Sequence, residues 1–188
     1  MPKKIAVFVG SLRKESYCRK MANALAGLAP ESLELEVVEI GGLPLYNQDY
    51  DDEGKPPEVW TAFRERVRKF DGVLFVTPEY NRSVPAVLKN AVDVASRPYG
   101  KGVWGGKPGA VVSVSPGTVG AFGANHHLRQ SLVFVDVPVM AQPEAYIGGA
   151  AQLLDGDGHI TNDKTRAFLV KFMEAFAVWV ARNSPQSP

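Results

Sequence analysis

Short apolar runs recur along the chain, and each is followed by a segment whose apolar residues have helical spacing. The run from Ile5 to Val9 is continuous, rich in branched residues and ends at Gly10, which is typical of a strand buried on both faces. Residues 33–39 instead alternate apolar and charged side chains, which predicts a strand at or near a sheet edge. Three further strands are predicted at residues 72–77, 107–115 and 137–140.

The segments between these strands predict amphipathic helices. Met21, Leu25 and Leu28 lie on one face of the first helix, which Ala29 and Pro30 close. The later helices are predicted around residues 60–70, 85–96, 123–134 and 169–180.

Two polar features interrupt this pattern. Residues 41–57 form a long polar stretch with no helical or strand period. The second helix carries a run of basic residues, which predicts a solvated face. The run consists of Arg64, Arg66, Arg68 and Lys69.

Strands that alternate with helices imply right-handed crossovers and an α/β fold, here a doubly wound five-stranded parallel sheet with helices on both faces. We expect one domain over residues 1–183 and a flexible C-terminal tail at residues 184–188. Ligands bind such sheets at the carboxyl ends of the strands, where the winding direction reverses. Function is therefore expected in the loops at residues 10–16, 78–84 and 115–120.

Composition narrows the class of protein. The chain has 188 residues, of which 45% are hydrophobic and 22% charged, so it can bury a core and is neither disordered nor fibrous. A net charge of +1 gives no field that would attract nucleic acid or an anionic membrane. The one cysteine, Cys18, cannot form an intramolecular disulfide, and neither a signal peptide nor a membrane span is present in the pattern. A cytoplasmic protein is expected.

The first of the three loops suits a phosphate. Backbone N–H groups at a helix start favour an anion, Ser11 and Ser16 add hydroxyl donors, and Arg13 adds a forked cation. The loop matches neither GxxxxGK[ST] nor GxGxxG, so a Walker-type ATPase and a standard dinucleotide fold lose support. A plain helix cap with solvated charges explains the same residues equally well.

The other two loops suit a flat heterocycle. Residues 77–85 are bounded by Pro78 and Pro85, and an aromatic ring and an amide lie at the tip of the loop, where they can stack and donate hydrogen bonds. A rigid turn is the alternative. In the third loop Gly117 and Gly120 leave room for a ligand to approach the backbone, although glycines are also ordinary turn residues.

Taken together, the loops resemble those of the NADPH-dependent FMN reductase family, in particular its quinone and chromate reductase branch. The matching motifs run in family order over nearly the whole chain: Gly10-Ser11-Leu12-Arg13 with Ser16; Thr77-Pro78-Glu79-Tyr80-Asn81; Ser83-Val84-Pro85; Leu88-Lys89-Asn90-Ala91; Gly106-Lys107-Pro108; and His127-Leu128-Arg129-Gln130. The second of these, with the two motifs that follow it, is the most specific.

The resemblance implies a flavodoxin-like fold and a set of FMN-binding residues. For the phosphate it implicates Ser11, Arg13 and Ser16, with Tyr17 and Cys18 adjoining; for the isoalloxazine Pro78, Glu79, Tyr80 and Asn81; and from the third loop Ser115 and Gly117. One position departs from the family, in which asparagine is common where this chain has Cys18. A thiol replaces an amide poorly. A thiolate favoured by the helix start and Arg13 is one possibility at Cys18, and a buried inert thiol is the preferred one.

The resemblance also implies an activity. FMN would carry the chemistry, and NADPH or NADH would pass hydride to flavin N5. A quinone, chromate, an azo compound or free flavin would then be reduced at the same face of the flavin, by a ping-pong mechanism. No catalytic side chain is required, and two-electron reduction of quinones is expected. Relatives are homodimers or homotetramers, and Trp104, Phe122 and residues 148–156 are candidates for the subunit contact.

Other classes of function remain as alternatives. A flavodoxin-type electron carrier is usually strongly acidic, unlike this chain at +1, and a flavin-binding redox sensor is a weaker alternative. A signalling receiver domain needs an acidic cluster where residues 10–13 stand. The histidines 126, 127 and 159 do not predict a metal site, because adjacent histidines on one helix point in different directions and no second cysteine accompanies them.

Overall fold

The computed structural model describes residues 1–184, and its centre is one five-stranded sheet in which every strand pairs in parallel. The strands are β1 (Lys3–Val9), β2 (Leu33–Val37), β3 (Gly72–Thr77), β4 (Gly109–Val114) and β5 (Ala145–Ile147). Their order is β2-β1-β3-β4-β5, so the winding reverses after β2 and the predicted fold class is confirmed. β2 lies at an edge, as its alternating pattern predicts.

The helices cover both faces of the sheet. They are α1 (Tyr17–Leu28), α2 (Gln48–Asp52), α3 (Glu58–Arg68), α4 (Ala86–Ala95), α5 (Phe122–Phe134), α6 (Ala150–Leu153) and α7 (Asp163–Asn183). One buried cluster joins α1 and α7 to Val7 and Leu74, and a second joins α3, α4 and α5 to Phe8 and Phe75. Successive residues of a strand point to opposite faces, so each central strand contributes to both cores.

The last strand lies further along the chain than the pattern predicts. Residues 137–140 make one isolated bridge beside β4, between Gly109 and Val139, and the ladder on β4 is formed by Ala145–Ile147 instead. The prediction is wrong because Pro138 has no N–H to give to a ladder, whereas the three-residue β5 is too short to show a period.

The long polar stretch is held by a buried ion pair. It contains α2, where Asp51 receives two hydrogen bonds from the Arg64 guanidinium at 2.8 and 2.7 Å. The third donor of Arg64, Nε, binds the Val94 carbonyl at 2.8 Å, and the guanidinium lies 5.7 Å from the Trp60 ring. The side chains of Arg64 and Asp51 are only 7% and 3% exposed. Arg64 therefore does not belong to a solvated face, in contrast to the prediction for the basic run.

Ser184 follows α7, and the rest of the predicted tail, residues 185–188, lies outside the described residues. Within residues 1–184, no helix combines the length and apolarity that a membrane crossing needs.

Candidate functional site

The three predicted loops meet at one edge of the sheet. They follow β1, β3 and β4, which are adjacent, so the first and last of these strands end about 10 Å apart at a strand spacing of about 4.8 Å. Gly10 brings the first loop against the second, since a Cβ there would lie 2.9 Å from Pro78 Cδ and 3.4 Å from Pro85 Cγ. The reversal of winding between β1 and β3 therefore coincides with these loops.

The first loop presents hydroxyl groups and one cation at the start of α1. Ser16 is the N-cap, and its Oγ accepts from the Arg19 N–H at 3.1 Å, which leaves its hydroxyl proton available to a ligand. Ser11 is buried, whereas the side chain of Arg13 is exposed and Tyr17 is half-buried. The positive end of the helix dipole adds to this set, which suits a phosphate.

Cys18 faces the other way. Its side chain is 2% exposed and belongs to the core formed with Val7 and Met21, and burial raises the pKa of its thiol from 9.0 to about 12. The expected burial of this thiol is confirmed, and the raised pKa disfavours the thiolate. The assignment of Cys18 to the cofactor site stays a prediction, restricted to its backbone N–H.

We expect Cys18 to resist alkylation in the folded protein. Burial keeps the thiol protonated at pH 8 and keeps the reagent away from it, so iodoacetamide should react at least about a hundred times more slowly than after denaturation. Because the folded pKa is raised, the associated stability is complete below pH 9.0 and is lost as the pH rises toward 12. Mass spectrometry of timed samples measures the rate, and rapid labelling of native protein would contradict the buried assignment.

The second loop is a tight hairpin. Tyr80 N–H binds the Ser83 carbonyl at 3.1 Å and Ser83 N–H binds the Tyr80 carbonyl at 3.0 Å. The two residues at the tip, Asn81 and Arg82, both have positive φ angles, 51° and 65°. Such a turn is stiff, and it leaves Tyr80 47% exposed.

The side chain of Glu79 fastens this hairpin to α5. Its Oε2 accepts from the Ala124 N–H at 3.1 Å in the first turn of the helix, and only 13% of the side chain is exposed. Gly123 makes the approach possible, because a Cβ there would lie 2.9 Å from the same oxygen. Ser83 Oγ forms a second link, 3.0 Å from His127 Nδ1. The Glu79 carboxylate is therefore not solvated, and it positions the loop.

The third loop is bound to β5 and to the start of α6. Ser115 N–H binds the Ile147 carbonyl at 2.9 Å, and the Ser115 carbonyl accepts from Ala150 N–H at 3.1 Å. Gly120 serves this contact rather than a ligand, because its absent side chain admits the Tyr146 backbone. Gly117 is exposed and open, as a ligand-facing glycine must be.

Sequence reasoning missed a buried polar pair beneath this loop. Ser113 Oγ donates to the Gly120 carbonyl at 2.7 Å and accepts from Asn125 Nδ2 at 3.1 Å. Both side chains are fully buried. The available signal was a serine inside an apolar strand and an asparagine on the inner face of a helix, since buried polar groups need partners.

The three histidines do not meet. His126 Nε2 lies 2.8 Å from Tyr146 Oη, while His127 faces Ser83, so the predicted divergence of these neighbours is confirmed. His159 lies with Asp155 and Asp157 in an exposed turn. The ammonium of Lys20 already binds the Gly156 carbonyl in that turn at 3.0 Å.

The residues at the sheet edge fit FMN. Ser11, Ser16 and Arg13 supply two hydroxyls and a guanidinium at a helix start, which is the donor set that a phosphate monoester requires. Tyr80 and the exposed backbone of residues 116–118 supply a stacking surface and amide groups in the two neighbouring loops. Fold and loops together define a flavodoxin-like protein with a nucleotide site at the winding reversal.

Comparison with known proteins agrees with this class. The family of NADPH-dependent FMN reductases matches residues 3–152. A quinone reductase of Pseudomonas putida is 65% identical over 95% of both chains, and a 2-hydroxy-1,4-benzoquinone reductase of Burkholderia sp. is 51% identical over 96% of this chain and 97% of its own. The structure of a flavoenzyme NAD(P)H:(acceptor) oxidoreductase from Paracoccus denitrificans has a TM-score of 0.91 and 43% identity, covering 97% of this chain and all of that one.

The chain belongs to the NADPH-dependent FMN reductase family. It is accordingly an oxidoreductase that uses FMN as cofactor and NAD(P)H as co-substrate. The individual FMN-binding residues rest on the geometry above and stay predictions.

Proposed function

We propose that the protein is a ping-pong NAD(P)H:quinone oxidoreductase. The observation that carries the proposal is the convergence of three loops at the winding reversal, one with phosphate-binding groups and two with groups suited to a flat ring. The names of its relatives, quinone reductase and 2-hydroxy-1,4-benzoquinone reductase, support quinones as the acceptor class.

In this proposal the chain binds and orients while the cofactor supplies the redox chemistry. When bound, FMN supplies an N5 atom that accepts hydride from the nicotinamide and returns it to an acceptor. Ser11, Arg13 and Ser16 hold the phosphate. The hairpin carrying Tyr80 holds the ring, and its links to α5 keep it from moving away.

A visible spectrum tests the cofactor, and turnover tests the class of function. Purified protein is expected to be yellow, to release its flavin on denaturation, and to oxidise NADH or NADPH when a quinone is added. Colourless protein that takes up no added FMN would refute the proposal. A flavoprotein that exchanges electrons only with a protein partner, and not with NAD(P)H and quinone, would be a carrier instead.

Arg13→Ala is expected to weaken FMN binding. Loss of charge-assisted bonds to a phosphate corresponds to a dissociation constant about 5 to 150 times higher. Fluorescence titration of the apoprotein with FMN measures it. Lys14→Ala, which removes an exposed charge from the adjacent position, is the matched control and should change the constant less than about twofold. Equal effects of the two variants would indicate a general field rather than a guanidinium contact.

We further propose that the protein is a homodimer or homotetramer in the cytoplasm. A groove of about 1030 Å³ lies between α4 and α5, and its lining includes Tyr99 and Phe134, each 87% exposed. Trp104 is 1% exposed and lies at the floor of the groove, while Phe122 is 48% exposed at the other end of α5. Light scattering should give a mass two or four times 20.4 kDa, and a monomer at micromolar concentration would refute the assembly.

A further inference from the structure

We propose that Arg82 determines acceptor specificity by binding the anionic oxygen of an ionised hydroxyquinone. The inference rests on the proposed quinone reductase function and names a subclass of its acceptors.

The backbone of Arg82 is in a conformation that arginine avoids. Its φ of 65° lies in the left-handed region, at the second of the two tip positions of the hairpin. Two-residue turns of this kind favour glycine at that position, because a Cβ is strained there. Asn81, at the first tip position, tolerates the same region much better. An arginine at the second position therefore carries a conformational cost.

The side chain of Arg82 adds too little stability to the fold to offset this cost. It is 84% exposed, and its ion pair with Glu79 Oε1 is long, at 3.3 Å. The other oxygen of Glu79 is occupied by Ala124 N–H, so that carboxylate is anchored without Arg82. Exposed pairs of this kind contribute little to stability. Its exposure thus leaves the guanidinium accessible to a ligand.

The surroundings of Arg82 combine a helix start with flat apolar surface. Its carbonyl lies against Gly123, where a Cβ would be 2.9 Å away, so the residue stands between the hairpin and the start of α5. Each of these two segments carries a half-exposed ring close to this point in the chain, Tyr80 in the hairpin and Phe122 in the first turn of α5. His127 and the positive end of α5 lie behind the hairpin.

A 2-hydroxy-1,4-quinone has the complementary chemistry. It is a vinylogous carboxylic acid, ionised at neutral pH, with its negative charge shared between two oxygens on a flat ring. The forked guanidinium suits such oxygens and the aromatic rings suit the quinone plane. The reaction itself is unchanged: NAD(P)H loses hydride, and the ionised quinone gains that hydride and two protons from water, one of them on its anionic oxygen, to become a neutral hydroquinone.

The experiment compares a charged acceptor with a neutral one on the FMN-loaded enzyme. The ratio of kcat/KM for 2-hydroxy-1,4-benzoquinone to that for 1,4-benzoquinone is measured for the native chain, Arg82→Gln and Arg82→Lys. We expect the ratio to fall about five- to tenfold in Arg82→Gln and to be partly kept in Arg82→Lys. Added salt should lower the ratio in the native enzyme and not in Arg82→Gln. Arg166→Gln, an exposed arginine on α7, is the control.

A binding measurement separates this proposal from the activity. Titrating the oxidised enzyme with 2-hydroxy-1,4-benzoquinone in the absence of NAD(P)H perturbs the flavin spectrum and gives a dissociation constant, which should rise in Arg82→Gln. An unchanged ratio and an unchanged dissociation constant would overturn the proposal. A higher KM for NADPH alone would also overturn it, because Arg82 would then be a dinucleotide contact. So would a change of molecular mass, because Arg82 would then be a subunit contact. Failure of the native enzyme to oxidise NAD(P)H with either quinone would refute the proposed function, and the titration would still decide the role of Arg82.

Discussion

A Gly120→Ala variant should lose about 3 kcal/mol of its free energy of unfolding, from a left-handed backbone cost of about 1–2 kcal/mol and an overpacking cost of about 1–3 kcal/mol. Gly120 has a φ of +64°, and a Cβ there would lie 2.6 Å from the carbonyl carbon of Tyr146. Since the obstacle is backbone, neither side can rotate away. In a chain of this length the loss corresponds to a melting temperature lower by about 6–12 °C.

Gly120→Ala should also weaken FMN binding. The Gly120 carbonyl accepts from Ser113 Oγ, and residues 115–118 reach the sheet edge from the same loop, so a displaced Gly120 moves the proposed ring contacts. Gly149→Ala is a matched control, because its φ of +66° is the same and the nearest atom is Gln152 Oε1 at 3.5 Å. Gly149→Ala should lower the free energy of unfolding only through the left-handed backbone conformation, by about 1 kcal/mol. Thermal melts with and without FMN compare the two, and equal losses would contradict the steric argument.

Asp51→Ala should destabilise the protein by about 3–5 kcal/mol, because it leaves the Arg64 guanidinium buried without its carboxylate. Two of the three bonds of Arg64 end on Asp51, at 2.8 and 2.7 Å, and the third ends on the Val94 carbonyl. Water reaches little of either side chain, so solvent cannot replace the lost partner. Chemical denaturation of the variant measures the change.

Two further variants test the cause of this effect. Glu36→Ala removes the partner of Arg66 in a pair whose side chains are 46% and 49% exposed, and it should cost less than about 1 kcal/mol. The double variant Asp51→Ala/Arg64→Met removes both charges and should recover much of the stability, since no buried charge is left unpaired. A double variant no more stable than Asp51→Ala would show that loss of packing, rather than the unpaired charge, dominates.

Periodicity predicted the strands that are buried on both faces and missed the one that is short. The runs that became β1, β3 and β4 contain five, four and three consecutive apolar residues in strands of six or seven residues, which favours central strands. β5 has three residues, and a stronger apolar run at residues 137–140 lies nearby with a proline inside it. The proline was the signal that the nearby run is not a ladder strand.

The inward position of Arg64 was also available from the sequence. Trp60, Arg64 and Val67 lie four and three residues apart, so they share one face of α3, and that face is buried. A run of basic residues suggests a solvated face by residue type alone, whereas the position of each residue on the helix decides which way its side chain points. The buried partner, Asp51, is thirteen residues away in a stretch with no period of its own.

The amino-acid sequence was sufficient for the alternation of strands and helices, the α/β class and the three loops at the sheet edge. These features follow from local rules, namely the spacing of apolar residues and the turn chemistry of glycine and proline. The roles of Glu79, Cys18 and Gly120 became visible only in the folded chain. Glu79 binds a helix start 45 residues away, Cys18 turns into the core, and Gly120 admits the backbone of Tyr146. Such roles depend on which distant segments approach one another, and no short window of sequence contains that information.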